Sequence, residues 1–323
     1  MATATKAEQP SLFQRLSRLI DSVSKGLSRF FFTHPRTVLV MLLAPPLLWL
    51  LILYIGPLLT MALQSFFYID DYSGVVVKQL SLQTYADLFT QSNMEIVGRT
   101  VLMSSTVTLA AVIIAFPLAY YMSRYARGRI KSLLYLAVLL PLWSSYLVRV
   151  YSWKLILANE GVANWFFEVL HLTGVRDWIL SQPVIGGSSL GFSYLGMFIV
   201  FVYIWLPYMI LPINAALERV PSSLLDASSD LGAKPLYTFR RIILPLVFPG
   251  IVAGSIFTFS LTLGDYIIPT VIGNSSYFIG PVVNSLQGTS GNIPLAAAFT
   301  IVPMVIMGVY LLLARRTGAF DAL

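Results

Sequence analysis

The chain has 323 residues, 57% of them hydrophobic and only 11% charged, against roughly 25% charged in a typical soluble domain. With the apolar residues gathered into long runs, this composition excludes an ordinary soluble globular protein. The formal net charge is +7 and there is no cysteine, which excludes a disulfide framework, a thiol nucleophile and a cysteine metal site; the two histidines, His34 and His171, are isolated, so no metal site is expected.

At the start of the chain, Leu12, Leu16, Leu19, Val23, Leu27 and Phe30 recur at steps of three and four, with Arg15, Arg18, Lys25 and Arg29 between them. That spacing predicts an amphipathic helix over 11–32, either lying on the inner membrane surface or packed on its own bundle. Residues 1–35 are too polar for a cleaved secretory signal, and 1–37 is read as a cytoplasmic N-terminal segment ahead of a membrane domain at 38–323.

Six apolar runs, near 38–65, 99–123, 132–152, 194–216, 242–263 and 293–314, are long enough to cross the bilayer, since a core of about 30 Å takes about 20 residues of helix. The third carries Arg149 and several polar residues toward its far end. The fold class expected is an all-α membrane protein with six transmembrane helices. Basic loops stay inside, and with a cytoplasmic N-terminus 16 of the 21 lysines and arginines fall on the inner side. Both termini are therefore expected in the cytoplasm, with 66–98 and 153–192 external. The orientation bias accounts for the net charge, and nothing calls for nucleic acid as a partner.

In the first external segment LSLQTYADLF is read as a short helix over the bundle mouth; in the second, QPVIGGSSLG is read as a flexible loop, because it neither follows a strand nor ends as a phosphate loop does. Prolines recur at membrane depth, among them Pro45, Pro46, Pro117, Pro141, Pro207 and Pro212. Each one inside a helix removes a backbone bond and can kink it.

The polar segment joining the fourth and fifth spans, 217–241, carries the strongest signal. Pro221 suits a helix start, Leu224, Leu225, Ala227 and Leu231 fall on one side, Gly232 ends that helix, and Pro235 turns the chain into a second one bearing Tyr237, Phe239, Arg240 and Arg241. Asp226-Ala227-Ser228, then Gly232, Ile242 and Leu244-Pro245 have the spacing Glu-Ala-Ala, three residues, Gly, nine residues, Ile, one residue, Leu-Pro. In that, the segment resembles the characteristic cytoplasmic loop of permease subunits of binding-protein-dependent ABC importers, departing only by Asp for Glu and Ser for the second Ala.

The resemblance implies the type I importer permease fold in a bacterial inner membrane and a loop that couples to an ATPase subunit through Asp226, Ala227, Ser228, Asp230, Gly232, Ile242, Leu244 and Pro245. It further implies a second permease, expected to be a different chain, two ATP-binding subunits that carry ATP and magnesium, and a periplasmic or lipid-anchored substrate-binding protein. This chain itself has no G-x-x-x-x-G-K-[ST] phosphate loop and is expected to be no enzyme. The stretches PLWSSYLVRVYSWKLILANEGVANWF and LGDYIIPTVIGN are similar to the first permease of spermidine/putrescine importers, although relatives moving opines, other small solutes or iron share such phrases.

A polyamine passage calls for carboxylates and aromatic faces. Asp265 beside Tyr266 is the candidate, lining the path, lying in the headgroup region, or paired with Arg149. Trp143, Tyr146, Tyr151 and Trp153 are candidate aromatic walls or an interfacial belt, and Glu160 a candidate docking charge for the binding protein. Two rivals remain open on the residues alone. An ion-coupled secondary transporter would need midplane carboxylates and repeated halves, and neither is seen. An intramembrane protease would need more than the single LGDY.

Overall fold

A computed structural model describes Phe31 and residues 35–70, 72–183, 185–273 and 278–316. The amphipathic segment expected at 11–32 lies, but for Phe31, outside the described residues. The chain divides into two compact units, Met1–Met61 and Ala62–Leu323.

In the first unit the chain rises as α1 (Pro35–Leu50), passes through a π-helical turn (Leu51–Ile55) and continues as α2 (Gly56–Gln64). These form one 29-residue span, Arg36–Gln64, apolar on every side and with no buried side chain in its apolar window. A surface of that kind suits hydrocarbon surroundings. The π turn follows Pro45 and Pro46 by one helical turn; proline removes the backbone donor that regular α-helix needs.

The second unit opens with a hairpin, β1 (Tyr68–Ile69) and β2 (Val76–Val77), in the register Tyr68↔Val77 and Ile69↔Val76. Next comes the short helix expected in LSLQTYADLF, α3 (Gln83–Leu88), followed by the second span, α4 (Gln91–Arg124). One face of α4 is a ladder of small buried residues, Ser104, Val107, Ala111, Ala115 and Ala119, and small side chains let helices approach closely in a membrane.

The third span is not the single helix expected over 132–152. It is α5 (Gly128–Trp143) and α6 (Tyr146–Ile156), bent by 98° at Ser144-Ser145. Pro141 lies one turn before the break, but its ring and missing donor disturb the turn on its N-terminal side; the helix stops where Ser144 becomes extended (ψ 149°). Two short helices follow, α7 (Val162–Val169) and α8 (Thr173–Ser181). The glycine-rich stretch after them, read from sequence as a flexible loop, is bonded into the fold: Gly187 pairs with Ser193, and Ser189, Leu190 and Gly191 are buried. Ser193 accepts from the Gly196 amide at 2.9 Å and so caps the next helix.

That helix, α9 (Tyr194–Arg219), is the centre of the fold, packed on α4 and on the fifth span. The chain then turns through α10 (Ser222–Asp230), α11 (Pro235–Thr238) and a π-helical turn (Phe239–Ile243) into α12 (Leu244–Leu263). After α13 (Ile267–Val271) and α14 (Ile279–Gly288), the last span is α15 (Ile293–Arg316). Among the described residues five helices are thus long and apolar enough to cross a membrane, or six with the bent pair taken as one span. The two largest apolar clusters among the described residues organise this unit. Val107, Val150, Phe201, Ile204 and Ile268 belong to one; Ala115, Met122, Ile213, Leu217 and Val247 belong to the other, nearer the 217–241 segment.

Candidate functional site

Two constellations stand at opposite ends of α12. At the first, α10 ends in a Schellman motif: the Ala233 amide donates to the Ser228 carbonyl at 3.0 Å and the Gly232 amide to the Ser229 carbonyl at 2.8 Å. This geometry needs a left-handed residue at the position after the cap, and Gly232 supplies it with φ 71°. Lys234 is extended and Pro235 occupies the first position of α11, where its missing donor costs nothing. Ser228 and Thr238 hydroxyls, 2.8 Å apart, close the two short helices on each other.

The elbow stands out from the bundle. Asp226, Ala227, Asp230 and Gly232 are exposed, Ser228 is buried in the fold of the elbow, and Ile242, Leu244 and Pro245 lead into α12. A groove of about 630 Å³, lined by Leu224, Ala227, Leu231, Lys234 and Tyr237 among others, runs along it. Leu231 is 87% exposed, a large apolar side chain that serves no core. Of the sequence-predicted residues, Asp226, Ala227, Ser228, Asp230 and Gly232 share this short unit, while Ile242, Leu244 and Pro245 belong to its junction with α12.

Its base is tied to the bundle by residues the sequence did not single out. Arg124, in the last turn of α4, donates through Nη2 to the carbonyls of Leu217 (3.1 Å) and Val220 (2.8 Å), where α9 ends; a cation there answers the orphan carbonyls and the negative end of the helix dipole. Lys131 Nζ lies 2.7 Å from Glu218 Oε1, and the Tyr135 hydroxyl donates to the same oxygen at 3.0 Å. The Asn214 amide, buried one turn earlier, donates to the Tyr135 hydroxyl. Phe239 of the elbow packs edge-on against Phe116 of α4 at 5.4 Å.

At the far end, Asp265 is held from three sides. The Tyr146 hydroxyl donates to Oδ2, and the amides of Ile267 and Ile268 donate to Oδ1 at 2.8 and 3.0 Å. The carboxylate thus caps α13 and clamps α6 onto it. Among the described residues it makes no ion pair with Arg149, whose Nε and Nη1 are buried without a hydrogen-bond partner. Tyr146 stacks on Trp205 of α9 at 5.6 Å and 17°, a residue no sequence signal marked out within its apolar run.

The other candidates do not join this cluster. Trp153, partly buried, packs on the exposed Tyr203 at 5.1 Å, while Trp143, Tyr151 and Tyr266 are exposed. Glu160 is exposed on the loop between α6 and α7. No group of three His, Asp or Glu among the described residues converges as metal ligands would.

Replacing Asp265 by alanine leaves two amides and a phenol without their acceptor. The expected loss is about 1–3 kcal/mol, while Asp265→Asn, which keeps one oxygen for the amides and a polar group for Tyr146, retains most of it. Thermal unfolding of the detergent-solubilised protein checks the order Asp, Asn, Ala.

The family model described as binding-protein-dependent transport system inner membrane component matches residues 108–318, which contain both constellations. Inner membrane ABC transporter permease protein YdcU of Escherichia coli (strain K12) is 52% identical over 297 residues, covering 92% of this chain and 95% of that one. Spermidine/putrescine transport system permease protein PotB of the same strain is 30% identical over 271 residues, 84% of this chain and 94% of PotB. Among solved structures, a bacterial alginate ABC transporter in complex with an alginate pentasaccharide-bound periplasmic protein has a chain that superposes with TM-score 0.70 at 17% identity, covering 91% of this chain and 98% of that one. This chain belongs to the binding-protein-dependent transport system inner membrane components: it is a multi-pass inner-membrane permease subunit of an ABC importer, with that family's fold, and a transport component rather than an enzyme.

Proposed function

We propose that this permease moves a polyamine, spermidine or putrescine, into the cell by alternating access, and that ATP-driven motion enters it through the elbow at 217–241. The observation that carries the substrate is the identity with PotB of 30% across 84% of the chain. The observation that carries the coupling is the exposed elbow, with Asp226, Ala227, Asp230 and Gly232 open to solvent and Ile242, Leu244 and Pro245 leading directly into α12. Both termini and the elbow lie in the cytoplasm on this reading, as the lysine and arginine bias requires.

The working machine pairs this chain with a second, different permease, two ATP-binding subunits holding ATP and magnesium, and a substrate-binding protein that delivers captured solute. Closure of the ATPase pair draws the elbows together and opens the cavity outward, and hydrolysis resets it inward. A docked elbow would bury Leu231, Tyr237 and the groove beside them. At the other face, Asp265 spends three acceptor positions on Tyr146, Ile267 and Ile268; a carboxylate offers about four, and the one left suits a single ammonium N–H, with Tyr146 and Tyr266 as aromatic neighbours. Glu160 is available to a docking protein at that face. Trp143 and Tyr151, exposed on the bent span, serve as interfacial anchors.

Calorimetry of the cognate binding protein against spermidine, putrescine and other small organic solutes tests the cargo. Binding of a polyamine is expected; binding of another solute with every polyamine silent would overturn it. Uptake in proteoliposomes is expected to require the ATPase subunits and ATP, and uptake on an ion gradient alone would overturn the mechanism.

A further inference from the structure

The elbow can drive the membrane helices only as far as they are fastened to it, and the fastening is uneven. Helix α9 runs straight into the elbow and is buried along its length against α4 and α12, so those three move together through close apolar packing. Helix α5 is different: its only buried residue is Val138. Little apolar burial obliges α5 to follow α9.

The link that does so is polar and sits at the root of the elbow. Glu218, in the last turn of α9, takes the Lys131 ammonium at 2.7 Å and the Tyr135 hydroxyl at 3.0 Å, both from the first two turns of α5. Asn214 steadies Tyr135 from one turn further into α9. Beyond Trp143 the same span bends into α6, whose Tyr146 clasps Asp265 at the opposite face. A continuous physical route therefore runs from the elbow through Glu218 to α5, round the bend, and on to the Asp265 cluster.

We propose that Glu218, Lys131 and Tyr135 form a clasp that makes α5 and α6 follow the elbow, and are thus positioning residues for coupling ATP hydrolysis to solute movement. This rests on the reading of 217–241 as the ATPase-docking segment. The clasp residues are partly exposed, Lys131 and Glu218 to 37% and 38%, so the fold does not depend on them as it does on the buried faces of α9. Without the clasp, the elbow still docks and ATP is still hydrolysed, but α5 lags and the outer cluster is not reset in step.

The test uses the complete importer with its binding protein and ATPase subunits in proteoliposomes, reading ATP hydrolysed per solute imported. For Glu218→Gln and Tyr135→Phe, both nearly isosteric, this ratio is expected to rise by about fivefold, the low end of coupling between distant sites, with the subunits still purifying as one complex. The exchanged pair Lys131→Glu with Glu218→Lys is expected to bring it back to within about twofold of the native value, since opposite charges meet again. A native ratio in Glu218→Gln, or an exchanged pair no better than the single variants, overturns the clasp. The docking reading is checked separately in the otherwise native background, where the thiol of Leu231→Cys, the sole cysteine of the chain, adds across the double bond of a benzophenone maleimide and, on irradiation, the benzophenone is expected to insert into a C–H bond of the ATPase subunit; failure there removes the docking segment, whatever the ratios show.

Discussion

Gly232→Val is expected to lower ATP-driven uptake by about tenfold or more, and Gly232→Asn to leave most of it intact. A Cβ at this position meets no atom within 4 Å, so volume is not the obstacle. The obstacle is φ 71°, which costs an L-residue about 1–2 kcal/mol and is worst for a β-branched one. Every 1.4 kcal/mol is tenfold in population, so valine drains the elbow of its docked shape, whereas asparagine tolerates the left-handed region. Initial uptake rates in proteoliposomes, at equal amounts of assembled complex, decide the matter. Equal losses in both variants would show that the surface, and not the backbone turn, carries the effect.

The second large effect is expected at the crossing of α9 and α12. A Cβ on Gly250 would stand 2.5 Å from Ala216 Cβ and 2.7 Å from the Pro212 carbonyl oxygen; one on Gly254 would stand 2.8 Å from Met209 Sδ and 3.1 Å from its Cα. Gly250 and Gly254 are the small-xxx-small face on which the two helices approach. At Gly250 the obstacles are backbone and a β-carbon, neither of which can swing aside. Gly250→Val is therefore expected to cost about 3 kcal/mol, the upper part of the range for overpacking a filled interface. Gly254→Ala is expected to cost less, because the nearest atom is the flexible end of a methionine. Thermal unfolding in detergent measures both. Since the elbow hangs between the near ends of these helices, Gly250→Val is also expected to reduce co-purification of the ATPase subunits.

Much of this was legible in the residues because membrane-spanning length and elbow geometry are local properties. Five spans lie over the apolar runs that suggested them, and Gly232 and Pro235 mark the elbow through backbone rules that need no partner in space. Where the sequence misleads, the cause is distant or subtle. The break at Ser144-Ser145 falls inside a run long enough to be read as one span, and Pro141 alone does not announce a bend of 98°, since Pro207 and Pro212 lie within an unbroken α9. Asp265 was legible as a costly charge but not as the cap of a five-residue helix, because so short a helix leaves no periodicity to read. Glu218 and Tyr135 are 83 positions apart, and nothing in a single sequence joins them. The Gly250-x-x-x-Gly254 pair carried a signal that could have been used.

The π-helical turn at Phe239–Ile243 joins the elbow to α12. A π turn holds one residue more than the α turn it replaces, and each residue of α-helix advances the screw by about 100°. Relaxing this turn to α geometry would swivel α12 by about that angle against the elbow, with the chain still helical on both sides. The joint is a rotary stop one residue deep, and deleting a single residue from it would leave plain α-helix with the two halves still in phase and no swivel left to release.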